Sequence, residues 1–274
     1  MRPIILQHRL LVVVLLGLLL GTSCSDSANR VTGGSGDVLV VSNTGGGDFD
    51  TIQAAVDAAH SGDLVQVRSG TYAERVVVDK TLTIVGDGLA PVVNADTVPP
   101  LPSSLPGDSA VLVIRDAVDV VIEGLSFSGP EDGIIVRDSA DVTLHNVNAS
   151  GNGGNGVDIR SSLNVTVSGT FADNGDHGVR VRKESSAVVL ESSTMTGNVD
   201  DGIRVRDSSD VLVRDNNSSH NGDHGIEVRD STGVEVVDNT ANDNVGFGIR
   251  IRDSDALVEN NTAVGNQEGD FFEE

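Results

Sequence analysis

The sequence predicts an all-β solenoid, and three observations carry that prediction. Glycines at 133, 156, 178, 202, 225 and 248 recur at spacings of 23, 22, 24, 23 and 23 residues. After each of them the chain runs apolar, variable, apolar, arginine, which is the period of two expected of a strand with one buried face. A second alternating run follows at a near-fixed offset: Val142/Leu144, Val165/Val167, Val188/Leu190, Val211/Val213 and Val234/Val236, slipping by one residue at Ala256/Val258. A regular period of this length marks stacked structural repeats. Gly, Asn, Asp, Ser and β-branched residues dominate the repeats, so no helix fits inside them. Two strands, a short third and tight turns fit one period, and coils would stack at the ~4.8 Å spacing of paired strands. The predicted fold is a right-handed parallel β-helix of about nine coils.

Taken from its start, the chain first shows a targeting pattern. Arg2 and Arg9 precede an uncharged apolar run from Leu10 to Leu20, too short to span a bilayer and suited to a signal-peptide core. The segment Gly21 to Cys24 resembles the lipobox of bacterial lipoproteins. That resemblance implies cleavage before Cys24, lipidation of Cys24, and export to the bacterial cell envelope. The alternative is an ordinary secretory signal and a secreted protein. Cys24 is the one cysteine in the chain, so no internal disulfide can form. The resulting division is a signal peptide over 1–23, a lipidated, polar and glycine-rich tether over 24–36, and a β-helix domain over 37–274.

From Thr51 to His60, apolar residues spaced by three and four predict a short amphipathic helix with Asp50 or Thr51 as its cap. Leu64 to Arg68, Gly70 to Val78 and Leu82 to Gly86 follow as extended segments. Thr51-Ile-Gln-Ala-Ala-Val-Asp-Ala-Ala, followed by this Gly-Thr-Tyr-Ala-Glu-Arg-Val-Val-Val segment, resembles the entry segment of pectin-lyase-like β-helix proteins. The resemblance implies a helix laid over the open first coil, whose strand edges and core end would otherwise face water. Five of the seven prolines (91, 99, 100, 102 and 106) fall between Pro91 and Asp108 and predict a loop, because proline cannot donate to a strand ladder. Phe271 and Phe272 are expected to plug the C-terminal end.

Asn152, Asn174, Asn198, Asn221, Asn244 and Asn266 recur with the same period. Stacked at one turn, their amides can bond to each other, as in asparagine ladders between stacked strands.

The formal net charge of −23 repels nucleic-acid phosphates and excludes that partner. Sixteen of the 18 basic residues are arginines. Nine of them occupy outward positions of the strand after the row glycine: Arg137, Arg160, Arg180, Arg182, Arg204, Arg206, Arg229, Arg250 and Arg252. Stacking turns these into a guanidinium stripe. Guanidinium forks match carboxylates in pairs of hydrogen bonds, so the stripe, with Arg180, Arg182, Arg204, Arg206, Arg229, Arg250 and Arg252 as its substrate-binding residues, can take an anionic polysaccharide. The competing reading is self-neutralisation by Asp138, Asp207, Asp230 and Asp253, which follow directly, and by Asp158 and Glu227 in the same sheet. Aromatic residues total 3 per cent with no tryptophan, which disfavours a neutral sugar held by stacking.

Just before the row glycines stand Asp176-His177, Asp200-Asp201 and Asp223-His224, on three adjacent coils. Clustered carboxylates shift each other's pKa and can divide acid and base roles. Aspartates with histidines at this spacing could also hold a metal, calcium or another ion, though nothing in the sequence makes a cofactor certain. The order Asp200-Asp201, Asp223-His224-Gly225, Arg250-Ile251-Arg252 resembles the site motifs of polygalacturonases. That resemblance implies catalytic roles for Asp201 and Asp200 as acid and base, support from His224, and substrate carboxylates held by Arg250 and Arg252. His177 replaces the first aspartate of that pattern, with Asp176 beside it. The same residues also read as turn residues that end strands.

Three functions therefore stand side by side. The first is an exported, lipid-anchored β-helix that binds an anionic polysaccharide or an envelope protein and meets the membrane only through its anchor. The second is a lyase or hydrolase of uronate-containing polymers. The third is a structural or assembly module without ligand.

Overall fold

The computed structural model describes residues 36–99 and 109–274. The expected signal peptide, Cys24, the expected tether up to Ser35, and Pro100, Pro102 and Pro106 lie outside the described residues.

Every strand pairing in the domain is parallel. One sheet has a main path of ten strands, from Val38–Val41 at one end to Ala256–Glu259 at the other. The second sheet has nine, from Val76–Val78 to Gly269–Glu273. A third, narrower face is built from Thr71–Tyr72, Val92–Asn94 and Ser126–Ser128. It continues as single bridges through Thr170, Thr194, Asn217, Thr240 and Thr262. The all-β solenoid expected from the sequence is thus present, with about one coil more than the repeat count suggested. Its extra length comes from early coils that lack the row glycine.

The repeat pattern becomes structure through the inward residues. Ile134 and Val136, Val157 and Ile159, Val179 and Val181, Ile203 and Val205, and Ile226 and Val228 sit in register and are buried. β-Branched side chains suit this stacking, since each fully buried one contributes roughly 1.5–3 kcal/mol. The row glycines have a steric cause. A Cβ on Gly225 would lie 2.6 Å from the carbonyl oxygen of Gly248 and 2.7 Å from the Asn244 amide nitrogen. Only glycine lets the next coil and the asparagine column approach this closely.

The asparagine column forms as expected. Asn198 Oδ1 accepts both the backbone N–H of Asn174, at 3.1 Å, and its side-chain N–H, at 3.0 Å. The same pair of bonds links Asn198 to Asn221 and Asn221 to Asn244. Two further columns were not anticipated. Asn216, Asn239 and Asn261 stack in the same manner at another corner. Ser139, Ser162, Ser185, Ser208, Ser231 and Ser254 place their hydroxyls behind the arginine strand. Many of the aspartates occupy left-handed corners, including Asp116, Asp138, Asp207, Asp230 and Asp253 with φ between 47° and 51°. Asp and Asn tolerate that conformation, so much of the acidity follows from corner geometry.

The predicted helix is Ile52–Ala58, which ends two residues before His60. Thr51 caps it by accepting the Ala54 N–H, and the Glu74 carboxylate accepts the N–H groups of Ile52 and Gln53 at 2.8 and 2.9 Å. Lys80 donates to the carbonyls of Val56 and Ala59, the stop signal at its other end. Ile52, Ala55 and Val56 are buried against the first coils. The proline segment is shorter than expected: Val92–Asn94 is a strand, with Pro91 just before it, a place where proline removes no ladder bond. Phe271 occupies the inward column above Ile249 but is half exposed, and Phe272 lies in the outward column above Arg250. The second phenylalanine is therefore not part of an end plug.

Candidate anion-binding face

The outward residues of the nine-stranded sheet form two columns. The outer column reads Arg115, Arg137, Arg160, Arg182, Arg206, Arg229, Arg252. The inner column, nearer the turn, reads Asp158, Arg180, Arg204, Glu227, Arg250, Phe272. All the arginines named from the sequence therefore share one face. Arg115 extends it by a coil; no glycine leads its row, so only the pairing reveals it.

Most guanidiniums on this face have an acid nearby. Asp158 holds Arg182 through two hydrogen bonds, at 3.0 and 2.8 Å, from a position without exposed surface. Glu227 lies 3.2 Å from Arg204 and 3.6 Å from Arg250. Asp230 lies 3.1 Å from Arg229, and Asp207 lies 3.2 Å from Arg206. Arg180 differs. Among the described residues no carboxylate lies within ion-pair distance of it, and its buried Nε, like those of Arg204, Arg206 and Arg229, has no acceptor. Burial and the neighbouring Arg182 guanidinium hold its pKa below the usual arginine range, while Asp158 acts against them. Arg180, Arg182, Arg204 and Arg206 make a tile on two adjacent strands, and self-neutralisation is incomplete at Arg180.

The turn residues form a ladder of their own. Asn155 Oδ1 accepts the His177 N–H, His177 Nδ1 accepts the Asp201 N–H at 3.2 Å, and Asp201 Oδ1 accepts the His224 N–H at 3.0 Å. His224 Nδ1 then accepts the Phe247 N–H at 2.8 Å. Each side chain thus serves the backbone of the next coil. Asp201 is 0 per cent exposed, and burial raises its pKa well above the usual range, with Glu227 adding to the rise. Its carboxyl does not reach solvent. The sequence paired Asp200 with Asp201, but the chain turns them to the two edges of the His177 ring, 3.7 Å from Nε2 and 3.4 Å from Nδ1. Asp200 instead stands with Asp176, half exposed, and burial and a hydrogen bond to Asp200 raise the Asp176 pKa. Burial lowers the His177 pKa to about 4, so the ring is neutral. Burial likewise lowers that of His224.

This ladder bears on the metal question. Asp176, His177 and Asp200 bring one ligand atom each within 4.8 Å of one another, and so do Asp201, Asp223 and His224. A metal-bound imidazole needs an unprotonated nitrogen facing the ion. Both rings accept a backbone N–H at Nδ1, so the neutral ring carries its proton on Nε2 and neither nitrogen is free. Arg250 Nη1 also stands 2.8 Å from His224 Nε2. The imidazoles therefore offer no ligand atom, and in these two groups the carboxylates of Asp176, Asp200, Asp201 and Asp223 are the remaining donors.

At the C-terminal end of the inner column the structure gathers aromatics that composition had discounted. Phe247 and Phe272 have ring centroids 5.0 Å apart, and the Arg250 guanidinium lies 6.0 and 5.7 Å from their centres. A groove of about 670 Å³ runs along the corner beyond the outer arginine column, lined by residues such as Val118, Ser139, Ser162 and Leu163. No residue of the Asp200–His224 turns lines it.

The sequence profile described as "Right handed beta helix region" matches residues 109–267, more than half of the chain. The chain belongs to the right-handed β-helix family. No curated protein matches it. Among solved structures this β-helix is similar to pectate lyase Pel9A, at 14% identity over 83% of this chain and 78% of that one, with a TM-score of 0.62. It is also similar to the periplasmic alginate epimerase AlgG, at 15% identity over 78% of this chain and 61% of that one, with a TM-score of 0.56. At this identity the likeness is one of fold. No described helix of the β-helix is long and apolar enough to cross a membrane.

Proposed function

We propose that this β-helix binds an anionic polysaccharide along its arginine face, and that it does so at the bacterial cell envelope, lipid-anchored through Cys24 after export. The observation that carries the binding reading is Arg180, a half-buried guanidinium with no acid within 4 Å among the described residues, in a face where its neighbours have ion-pair partners. A cation held this way gains from an external carboxylate in a bidentate contact. The two similar structures named above are a pectate lyase and an alginate epimerase, which supports the choice of polymer. Co-sedimentation with polygalacturonate and with alginate across a salt series tests it. Binding that weakens as salt rises is expected, and absence of binding at low salt refutes it.

One observation favours a second reading, turnover of the same polymer. Asp176 and Asp200 form a half-exposed carboxylate pair beside Arg180, and a pair with one raised pKa can divide acid and base work. The residues at stake are then Asp176 and Asp200, in place of the Asp200, Asp201 and His224 set. Incubation with polygalacturonate and alginate, followed for unsaturated products, new reducing ends and epimerised residues, tests it. Activity that survives both Asp176→Asn and Asp200→Asn removes it.

A further inference from the structure

Among the described residues, two guanidiniums of the inner column have no carboxylate closer than 3.6 Å, and they are not adjacent. Arg180 is one. Arg250 is the other, and proton placement adds to its isolation. His224 Nδ1 accepts the Phe247 N–H at 2.8 Å, so the neutral ring has its proton on Nε2. Nε2 in turn stands 2.8 Å from Arg250 Nη1. That contact sets donor against donor. Glu227 lies 3.6 Å from Arg250 and closer, at 3.2 Å, to Arg204. Among the described residues Arg250 Nε has no acceptor, and neither has that of Arg180 or Arg204. Turning the guanidinium toward an outside oxygen relieves the contact with His224 and supplies the missing acceptor.

The register fixes the distance between the two. Arg180 pairs with Arg204, Arg204 with Glu227, and Glu227 with Arg250. Three coil spacings separate them, about 14 Å along the axis. The stretch between holds Arg204 and Glu227, the closest ion pair of this column, at 3.2 Å. The far point has a further property: Phe247 and Phe272 wall it, both only partly buried. A sugar acid offers a carboxylate for Arg250 and C–H surface for the rings.

We propose that the face is bivalent: it holds one anionic polysaccharide chain at two separate points, Arg180 and the Arg250–Phe247–Phe272 corner, and is passive between them. This rests on the binding reading above and adds the register, the direction along the axis and a minimum length. A chain too short to span the two points engages one of them. A chain that spans both gains from intramolecular engagement of the second.

Calorimetric titration with oligogalacturonates of graded length tests this, on the whole domain and on Arg180→Gln, Arg250→Gln and Phe272→Ala. Affinity should rise by about tenfold or more at one length and then level off. Arg180→Gln and Arg250→Gln should each remove that step and leave short oligomers binding at the other point. Phe272→Ala should lower the step without touching binding at Arg180. Far-ultraviolet circular dichroism of each variant separates loss of binding from loss of fold. A smooth rise with length, or an unchanged step in Arg250→Gln, overturns bivalence while the binding face stands. No binding of any length by the unaltered protein removes the binding reading itself, and the proposal with it.

Discussion

The Asp201 carboxylate accepts the backbone N–H of His224 at 3.0 Å from a site with no exposed surface. Asn155 does the same for His177 two coils earlier, at 3.3 Å, with a neutral amide. The ladder thus needs an acceptor at this position and has no use for a charge.

Asp201→Asn should therefore stabilise the fold at neutral pH. A raised folded pKa means the native state binds the proton more tightly than the unfolded chain. Stability contributed by Asp201 is present at low pH and is lost as pH rises from the ordinary carboxylate range through the raised value. Asparagine keeps the acceptor and removes that loss, a gain on the order of 1 kcal/mol at pH 7. Denaturant titrations at pH 4 and pH 7 check it: the gain should be present at pH 7 and shrink at pH 4. A variant less stable at pH 7 would mean that the carboxylate is ionised and satisfied.

His177 works in the opposite sense. Its folded pKa of about 4 lies below the ordinary histidine value of 6.5. Above that ordinary value both states are neutral and the ring costs nothing. As pH falls from 6.5 toward 4 the unfolded chain takes up a proton that the native ring refuses, and stability drops. His177→Asn, an acceptor already used at Asn155, should flatten this part of the profile. Thermal melts between pH 4 and pH 7 read the difference. An unflattened profile would assign the acid sensitivity to other groups.

Asp176 should make binding depend on pH. Its raised pKa follows from burial and from Asp200, while Arg180 and Arg204 act to lower it. Protonating it removes a negative charge beside Arg180, so affinity for a polyuronate should rise as pH falls from neutral toward the raised value, until the polymer's own carboxylates titrate. Asp176→Asn should bind more tightly at pH 7, by a few-fold, and lose much of this dependence. Equal affinity of the two proteins across the range would separate Asp176 from the binding face.

The asparagine column should be a main source of rigidity. Asn198→Ala leaves the Asn174 backbone and side-chain N–H groups without their acceptor in a buried turn. Each orphaned buried donor costs about 1–3 kcal/mol, so a loss of about 3 kcal/mol or more is expected. Urea unfolding with an unchanged slope measures it. A loss below about 1 kcal/mol would mean that water replaces the lost bonds.

The repeat of glycine, alternating apolar residues and arginine was enough to determine the solenoid, its stacking register and the common face of the arginines. Side-chain period in a strand is strictly two, and vertical neighbours in a coil follow from the repeat length. The Asn152 to Asn266 column was legible for the same reason. Arg115 and the Asn216 column were harder to see, because their rows lack the leading glycine or carry fewer members. Which arginine is left unpaired could not be read from the text, since Asp158 reaches Arg182 in the neighbouring coil and passes over Arg180. Asp200 and Asp201 are adjacent in sequence yet sit on opposite edges of His177, because neighbouring residues at this turn point to opposite sides of the backbone. Phe247 and Phe272 are 25 residues apart and meet only because the last strand of the sheet lands on Arg250. Local pattern set the columns; the choice of partners between columns depended on side-chain reach and burial, which exist only once the coils are stacked.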